Sequence, residues 1–264
     1  MKNKYKFVVI ILVYCNDVDL DECIQSVYKY IANCKIVVVN AYYDDLTRNN
    51  IKKIAEKYNC DFLDEKNKGY SFGNNKGITF ANEKYEYEYI IISNPDIIVK
   101  QFNDNLPDAE IIAPKVVTMS GKNQNPMAIK ENRLAEYLVY QGLKKNEKII
   151  FAAGLVIKKI SDKVALLFRK KNIPLKIFMA HGSFVIIRKD VIDIIGSLYD
   201  ENMFLFAEEG VLAYKTRKQG MITVYEDTIV VKHKEDGSMK LADLSISDEL
   251  RKANIYFYEN YIQK

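Results

Sequence analysis

Two oxygen-bearing side chains stand close together just after an apolar stretch in the first half of the chain. The segment is Ser93-Asn94-Pro95-Asp96-Ile97, and Tyr89 to Ile92 before it has the pattern of a buried strand. The oxygens of Asn94 and Asp96 suit a hard divalent cation, Mn2+ or Mg2+, that keeps positions open for phosphate oxygens. A plain Asn-Pro-Asp turn is the alternative.

An acidic pair, Glu208 and Glu209, follows the aromatic run Phe204 to Phe206 at the predicted start of a helix. A glutamate with the ordinary pKa of about 4.3 is ionised at neutral pH and can act as a general base toward a hydroxyl group. The same two residues would also stabilise the N-terminus of the helix. Both roles can coexist.

The chain has two histidines, and each lies where a strand begins or ends. His233 comes directly after the predicted strand Thr228 to Val231 and is a candidate metal ligand. His181 precedes Gly182 and Ser183. For both histidines, a structural hydrogen-bonding role is the alternative.

A glycine- and asparagine-rich segment runs from Asn67 to Gly77 and leads into a predicted helix. Its glycines allow the backbone to approach a ligand closely, and the free amides of a helix N-terminus can bind an anionic group. Lys68 or Lys76 could add positive charge. An ordinary entry from a loop into a helix is the alternative.

Apolar periodicity predicts the elements that must position these groups. Apolar, largely β-branched runs predict buried strands at 7–14, 36–39 and 89–92, and a short strand is predicted at 61–63, with helices between the strands. This alternation predicts an α/β fold with an open, mostly parallel sheet flanked by helices and with ligands at the carboxyl ends of the strands. The second half is less regular and predicts an α+β arrangement, with strands at 111–114 and 183–187 and helices at 132–141, 208–219 and 243–261.

Composition limits the class of protein. The chain has 264 residues, of which 48% are hydrophobic, enough for the core of one large domain over 1–264, with 1–100 as a ligand-binding half and 101–264 as a second half. The 39 basic and 35 acidic residues nearly balance, which argues against binding of polyanions by bulk charge. The apolar run near the N-terminus is too short to span a membrane and carries no cleavage pattern, so we expect a cytoplasmic protein.

Four cysteines, at positions 15, 23, 34 and 60, lack the spacing of a zinc site or a disulfide framework. We expect reduced, buried thiols at these four positions.

One segment departs from the charge balance. Residues 144–176 contain ten Lys or Arg against two acidic residues, interleaved with apolar clusters. This pattern suits an element lying on an anionic membrane surface. An amphipathic helix pair packed on the domain, with its basic face in solvent, is the alternative. The segment lacks the aromatic stacking pattern of a nucleic-acid binder, so we expect no nucleic-acid partner.

Taken together and in order, the motifs resemble those of family 2 glycosyltransferases, particularly the bacterial rhamnosyltransferase-like branch that builds capsule, O-antigen and cell-wall polysaccharides. The resemblance covers nearly the whole chain. The segments that carry it are Val13-Tyr14-Cys15-Asn16, Val39-Asn40-Ala41-Tyr42-Tyr43-Asp44, 67–78, Asn94-Pro95-Asp96, 182–188, Glu208-Glu209 with Gly220, and His233.

The resemblance implies a GT-A fold and an inverting transfer of a sugar from a nucleotide diphosphate, dTDP- or UDP-linked, to a saccharide or lipid-linked saccharide. It also implies a divalent metal at Asp96 and His233 and a base at Glu209 or Glu208. The donor contacts that it implies are Tyr14, Asn16, Asn40, Asp44, Lys68, Gly69, Phe72, Asn74, Asn75 and Asn94.

The chain also departs from the family pattern. Glu209 stands where the family usually has Asp, and Val39 stands where an Asp usually accepts a hydrogen bond from the nucleotide base. Val211 and Lys215 replace an Asp and an Arg. A catalytically degenerate homologue that acts as a binding or regulatory partner of another transferase therefore remains the alternative. A tyrosine-rich C-terminal helix could pack on its own domain or against a second subunit in a homodimer.

Overall fold

The computed structural model describes residues 2–168, 174–235 and 245–263. The strands are β1 (Asn3–Val13), β2 (Cys34–Tyr42), β3 (Asp61–Lys66), β4 (Tyr85–Ser93), β5 (Ile97–Gln101), β6 (Ile111–Thr118), β7 (Leu175–Ile177), β8 (Phe184–Arg188) and β9 (Thr223–His233). The helices are α1 (Asp17–Tyr30), α2 (Asp45–Lys57), α3 (Tyr70–Lys84), α4 (Arg133–Lys145), α5 (Lys148–Leu167), α6 (Lys189–Ile195), α7 (Glu208–Lys218) and α8 (Ile246–Phe257). A π-helical turn, Tyr258–Ile262, continues α8.

These strands form one sheet in the order β3-β2-β1-β4-β8-β6-β9-β5, with β7 paired to β9. The four N-terminal strands are parallel, whereas β8 runs antiparallel to both β4 and β6. The predicted α/β class, an open sheet flanked by helices, is confirmed. The sheet is mixed in its second half, and the two halves of the chain share it.

The central strand β1 is covered on both faces, as its unbroken β-branched run predicts. Residues Phe7 to Ile11 are all fully buried. Alternate side chains of β1 pack on opposite sides of the sheet, one set with Leu20 and Ile24 of α1 and the other with Ile78 of α3. Burying one large aliphatic side chain stabilises the fold by about 1.5–3 kcal/mol, so this layer is the main source of stability.

The glycines of α3 serve helix packing. A Cβ on Gly73 would lie 2.3 Å from Leu12 Cδ1, and a Cβ on Gly77 would lie 2.5 Å from Ile10 Cγ2. Only a residue without a side chain lets α3 approach β1 this closely. The sequence pattern had suggested close approach to a ligand, but at these two positions the close neighbour is the sheet.

We expect Gly77→Ala to lower the free energy of unfolding by about 1–2 kcal/mol. The added methyl group meets the β-branched carbon of Ile10, which cannot rotate away, and this cost exceeds the gain in helix propensity. Urea unfolding followed by circular dichroism measures the change. Lys76→Ala, at the exposed neighbouring position, is the control and should change the free energy by less than about 0.5 kcal/mol. An equally stable Gly77→Ala variant would contradict the packing role.

The C-terminal tyrosines pack on their own domain. Tyr256 and Tyr261 both donate hydrogen bonds to Asp200 Oδ2, at 3.1 and 2.7 Å, and the ring of Tyr258 stacks on Tyr140 at 4.2 Å. The predicted terminal helix is thus present, although residues 243 and 244 lie outside the described residues.

The cysteines agree with the sequence prediction only in part. All four cysteines are free. Cys23 is buried, whereas Cys15, Cys34 and Cys60 are only partly buried, so the prediction of four buried thiols was wrong for three of them.

Across the ranges the structure describes, we find no helix with both the length and the apolar character needed to span a bilayer.

Candidate active site

A cavity of about 620 Å3 opens where β1, β2, β4 and β9 end. One wall comes from the first half of the chain and includes Tyr14, Gly69 and Asn94. His181 and the acidic pair, from the second half of the chain, line the same cavity. Groups from the two halves of the chain therefore share one space.

Asp96 and His233 meet at the floor of the cavity. Both are buried, and His233 Nε2 lies 3.3 Å from Asp96 Oδ2. The other ring nitrogen, Nδ1, lies 2.7 Å from Gln124 Oε1, and the amide of Gln124 donates to Glu235 Oε1 at 3.0 Å. Because the amide of Gln124 is oriented by Glu235, its oxygen faces Nδ1 and accepts the ring proton there. In the neutral ring, the lone pair of Nε2 then faces a carboxylate oxygen.

This arrangement fits a divalent cation. Asp96 Oδ1 is buried and has no hydrogen-bond partner, while Asp96 Oδ2 and His233 Nε2 present two lone pairs to each other. A buried unpaired carboxylate oxygen is costly, and a cation relieves that cost. Within the described ranges, no group of three or more His, Cys, Asp or Glu side chains is placed to hold a metal. Two protein ligands leave positions for phosphate oxygens and water.

The acidic pair lies on a strained turn. Phe206 and Ala207 have φ angles of +75° and +64°, a left-handed conformation that is costly for residues other than glycine. Strain of this kind is commonly held at functional sites. Here the turn starts α7 with Glu208 buried and Glu209 half-buried, and both residues line the cavity.

The two carboxylates have different surroundings. Glu208 is 5% exposed, and burial, followed by the neighbouring charge of Glu209, raises its pKa to about 8. Glu209 is half-buried, and its Oε1 accepts a hydrogen bond from Gly182 N at 3.3 Å. Glu208 is therefore mainly protonated at neutral pH, and the carboxylate available to a ligand is that of Glu209.

The raised pKa of Glu208 predicts a pH-dependent stability. Since the folded state holds this proton more tightly than the unfolded chain, stability present at low pH is lost as pH rises from about 4.5 through about 8. We expect Glu208→Gln, which cannot ionise, to lose less free energy of unfolding than the wild type between pH 5 and pH 9. Urea unfolding at both pH values measures the difference. Parallel pH profiles for the two proteins would show that Glu208 has an ordinary pKa.

His181 lies between the Asp96 and Glu209 regions. Its Nδ1 accepts a hydrogen bond from Ser183 N at 3.2 Å, which leaves the proton of the neutral ring on Nε2. Burial lowers its pKa, and its ring centroid is 5.7 Å from that of His233. Because His181 lines the cavity, the Nε2–H of its neutral ring is a candidate hydrogen-bond donor for a ligand oxygen.

Several predicted donor contacts lie away from the cavity wall. Asn16 and Asp44 cap α1 and α2, accepting hydrogen bonds from Asp19 N and Thr47 N. Asn40 is buried and donates to Asp64 Oδ1 at 2.7 Å.

The remaining four predicted contacts lie on or beside α3. Lys68 lies over the ring of Phe72 at 4.8 Å, and Asn74 is buried and donates to Tyr70 O at 3.1 Å. Asn75 donates to Tyr199 O at 3.0 Å and thereby ties α3 to the loop before the acidic pair. A role for these side chains in donor binding stays a prediction.

Three further residues complete the site. Gln124 orients His233, and His181 faces the cavity. Tyr70 also lines the cavity and donates a hydrogen bond to Gly182 O at 2.9 Å. The sequence marks His181 as one of two histidines and Tyr70 as part of the glycine-rich segment 67–77, but no local sequence signal marks Gln124.

The far end of the cavity is mainly apolar. Its apolar side chains are Met127, Val139 of α4, Phe151 and Leu155 of α5, and Phe257 of α8, and the ion pair Glu136–Lys158 and Asn254 line it as well. The lining therefore changes from mainly polar near Asp96 and Glu209 to mainly aliphatic and aromatic between the three helices. Such a surface suits an apolar part of a ligand.

Comparison with known proteins gives one sequence relative. The chain is 23% identical over 209 residues to the low-salt glycan biosynthesis hexosyltransferase of Haloferax volcanii, an alignment that covers 76% of this chain. The chain spans only 59% of that relative's length. No protein-family model matches the chain.

Solved structures show the fold. GalNAc-T7, crystallised with UDP, GalNAc and Mn2+, matches 97% of this chain and 48% of its own with a TM-score of 0.65 and 14% identity. TarS of S. aureus matches 87% of this chain and 36% of its own (TM-score 0.53, 15% identity). The mannosyltransferase PcManGT from Pyrobaculum calidifontis, solved with GDP-Man and Mn2+, matches 98% of this chain and 71% of its own (TM-score 0.52, 11% identity). These likenesses confirm the predicted GT-A fold.

Proposed function

We propose that this protein is a metal-dependent, inverting glycosyltransferase. It moves a sugar from a dTDP- or UDP-linked donor to a saccharide or lipid-linked saccharide acceptor in cell-surface polysaccharide synthesis, as in the rhamnosyltransferase-like branch. The observation that carries the proposal is that Glu209 and the Asp96–His233 pair line one cavity. The hexosyltransferase relative and the neighbours solved with UDP or GDP-Man support it.

The donor lies against the first-half wall of the cavity in this proposal. Tyr14, Gly69 and Asn94 form that wall, and their strand-end positions suit a nucleotide diphosphate. Asp96 and His233 would hold Mn2+ or Mg2+, which neutralises charge on the departing diphosphate. His181 donates its Nε2–H to an oxygen of the donor.

Glu209 acts on the acceptor. Its carboxylate takes the proton of the attacking hydroxyl group, and the hydrogen bond from Gly182 N holds Oε1 in place for that transfer. Attack on the anomeric carbon from the side opposite the diphosphate inverts its configuration. Neutral Glu208 adds no second negative charge beside the base.

The proposal is tested with purified protein and UDP-, dTDP- and GDP-sugars, each with and without Mn2+. We expect one donor to raise the melting temperature only when Mn2+ is present and to be hydrolysed slowly without an acceptor. The absence of a shift with every donor would contradict it.

A second candidate is a catalytically degenerate homologue that binds nucleotide or a partner transferase. Val39 favours it, because this side chain is fully buried beside α3 and cannot accept a hydrogen bond from a nucleotide base. Stabilisation by a donor without hydrolysis, and without transfer to any acceptor, would support this second candidate.

A further inference from the structure

Helix α5 is attached to the domain by one face. Gly154 of α5 packs against the backbone of α4, where a Cβ would lie 2.8 Å from Val139 N. A Cβ on Gly142 of α4 would likewise lie only 2.4 Å from the backbone nitrogen of Phe151. These small residues bring the two helices into close contact, so the inner face of α5 is fixed.

The outer face of α5 carries an apolar stripe. Its members recur at spacings of three and four residues and therefore lie on one side of the helix. They are Ile149, Ala153, Val156, Ile160 and Val164. Ile149 is 83% exposed and Ile160 is 55% exposed, and a contiguous exposed apolar surface of this kind marks an interaction site. The stripe extends over roughly 22 Å along the helix.

A row of lysines accompanies the stripe. Lys148, Lys159 and Lys163 are exposed on the adjacent side of α5 and make no ion pair with any acid in the described ranges. Lys158, on the inner side, is bonded instead to Glu136 at 3.2 Å. The exposed face thus combines unneutralised positive charge with aliphatic side chains.

We propose that the outer face of α5 lies on an anionic lipid surface. The aliphatic stripe enters the boundary between headgroups and acyl chains, and the lysines contact anionic headgroups. Protein interfaces are enriched in aromatic residues and arginine and depleted in lysine, whereas this stripe has only aliphatic side chains beside lysines. A second copy packed antiparallel on the same stripe would place the two lysine rows side by side, which is unfavourable.

The position of α5 relates this lipid contact to the binding of an acceptor, and this step rests on the proposed function. Phe151 and Leu155 of the same helix form part of the apolar end of the cavity. Docking of α5 therefore places that end one helix diameter, about 10 Å, from the lipid surface. A lipid-linked acceptor can then present its saccharide to Glu209 while its lipid remains in the bilayer.

The test is co-sedimentation of the full chain with vesicles of phosphatidylcholine alone or mixed with phosphatidylglycerol. We expect binding only to the anionic vesicles, weakened by added salt. Lys159→Glu with Lys163→Glu should reduce the partition coefficient by more than about 20-fold, since each lysine contributes about a factor of five. The double variant Lys52→Glu, Lys53→Glu on α2 makes the same charge change elsewhere and should bind as the wild type does.

A separate variant tests the apolar stripe. Ile160→Ser leaves the charge unchanged and should weaken vesicle binding at least about threefold. Failure of the wild type to bind anionic vesicles, or equal losses in the α2 control, would overturn the proposal. So would light scattering that shows a dimer which Ile160→Ser dissociates, because a second copy would then cover the stripe. Thermal shift with donor on the same variants separates the two proposals, since it depends on the donor site and not on α5.

Discussion

Glu209→Gln is expected to lower the rate of sugar transfer by about 100- to 10,000-fold, the usual contribution of a general base. Glutamine keeps the size of the side chain and an oxygen that can accept the hydrogen bond from Gly182 N, but it cannot take a proton. Donor binding should be nearly unchanged, because the base acts on the acceptor. Initial rates with saturating donor measure the first effect, and a thermal-shift titration with donor measures the second.

Glu208→Gln is the matched control. The buried Glu208 is mainly protonated at neutral pH, and a glutamine resembles that neutral form, so we expect transfer to fall by less than about threefold. The opposite result, with the Glu208→Gln variant inactive and the Glu209→Gln variant active, would move the base to Glu208. If both variants kept full activity, the base would have to be another residue.

Asp96→Asn is expected to have the second large effect, on metal binding and on the rate of transfer. The substitution removes the negative charge that faces His233 and leaves the shape of the side chain nearly unchanged. We expect the loss of Mn2+-dependent stabilisation by the donor and a fall in transfer of at least about 100-fold, since charge on the departing diphosphate is no longer neutralised. A metal titration followed by melting temperature and by initial rate measures both.

Asp104→Asn provides the comparison for this variant. Asp104 is exposed and does not line the cavity, so the same chemical change there should leave the metal titration unaltered. If Asp96→Asn responded to Mn2+ as the wild type does, Asp96 would not be a metal ligand. Its burial would then need another explanation, because Oδ1 has no partner in the described protein.

The base and the donor wall are joined through one glycine. A Cβ on Gly69, whose φ is +98°, would lie 2.1 Å from the carbonyl oxygen of Phe204, and Tyr70 N donates to that same oxygen at 2.8 Å. The segment from Phe204 leads into the strained turn before Glu209. The start of α3 and the acidic pair therefore hold a fixed relation, which transfer between two bound sugars requires.

Much of the fold follows from local patterns in the sequence. The run Phe7 to Ile11 is continuous and β-branched because both of its faces are buried, and helical spacing of Leu20 and Ile24 marks the next element. The mixture of parallel and antiparallel strands in the second half was harder to predict from the sequence. Short strands such as β5 and β7 carry few residues, and an antiparallel neighbour such as β8 leaves no periodic mark of its own.

The sequence by itself determined the alternation of strands and helices in the first half of the chain and the presence of Asp96, His233 and Glu209 at element ends, because burial and hydrogen bonding impose short-range patterns. Only the tertiary structure decided which groups meet. Glu208 and Glu209 are neighbours in sequence, but the turn before α7 buries Glu208 and leaves Glu209 half-buried. Gln124 reaches His233, and α3 uses Gly73 and Gly77 for packing, through contacts between distant segments. Such contacts depend on how the elements pack in three dimensions, and no local spacing records them.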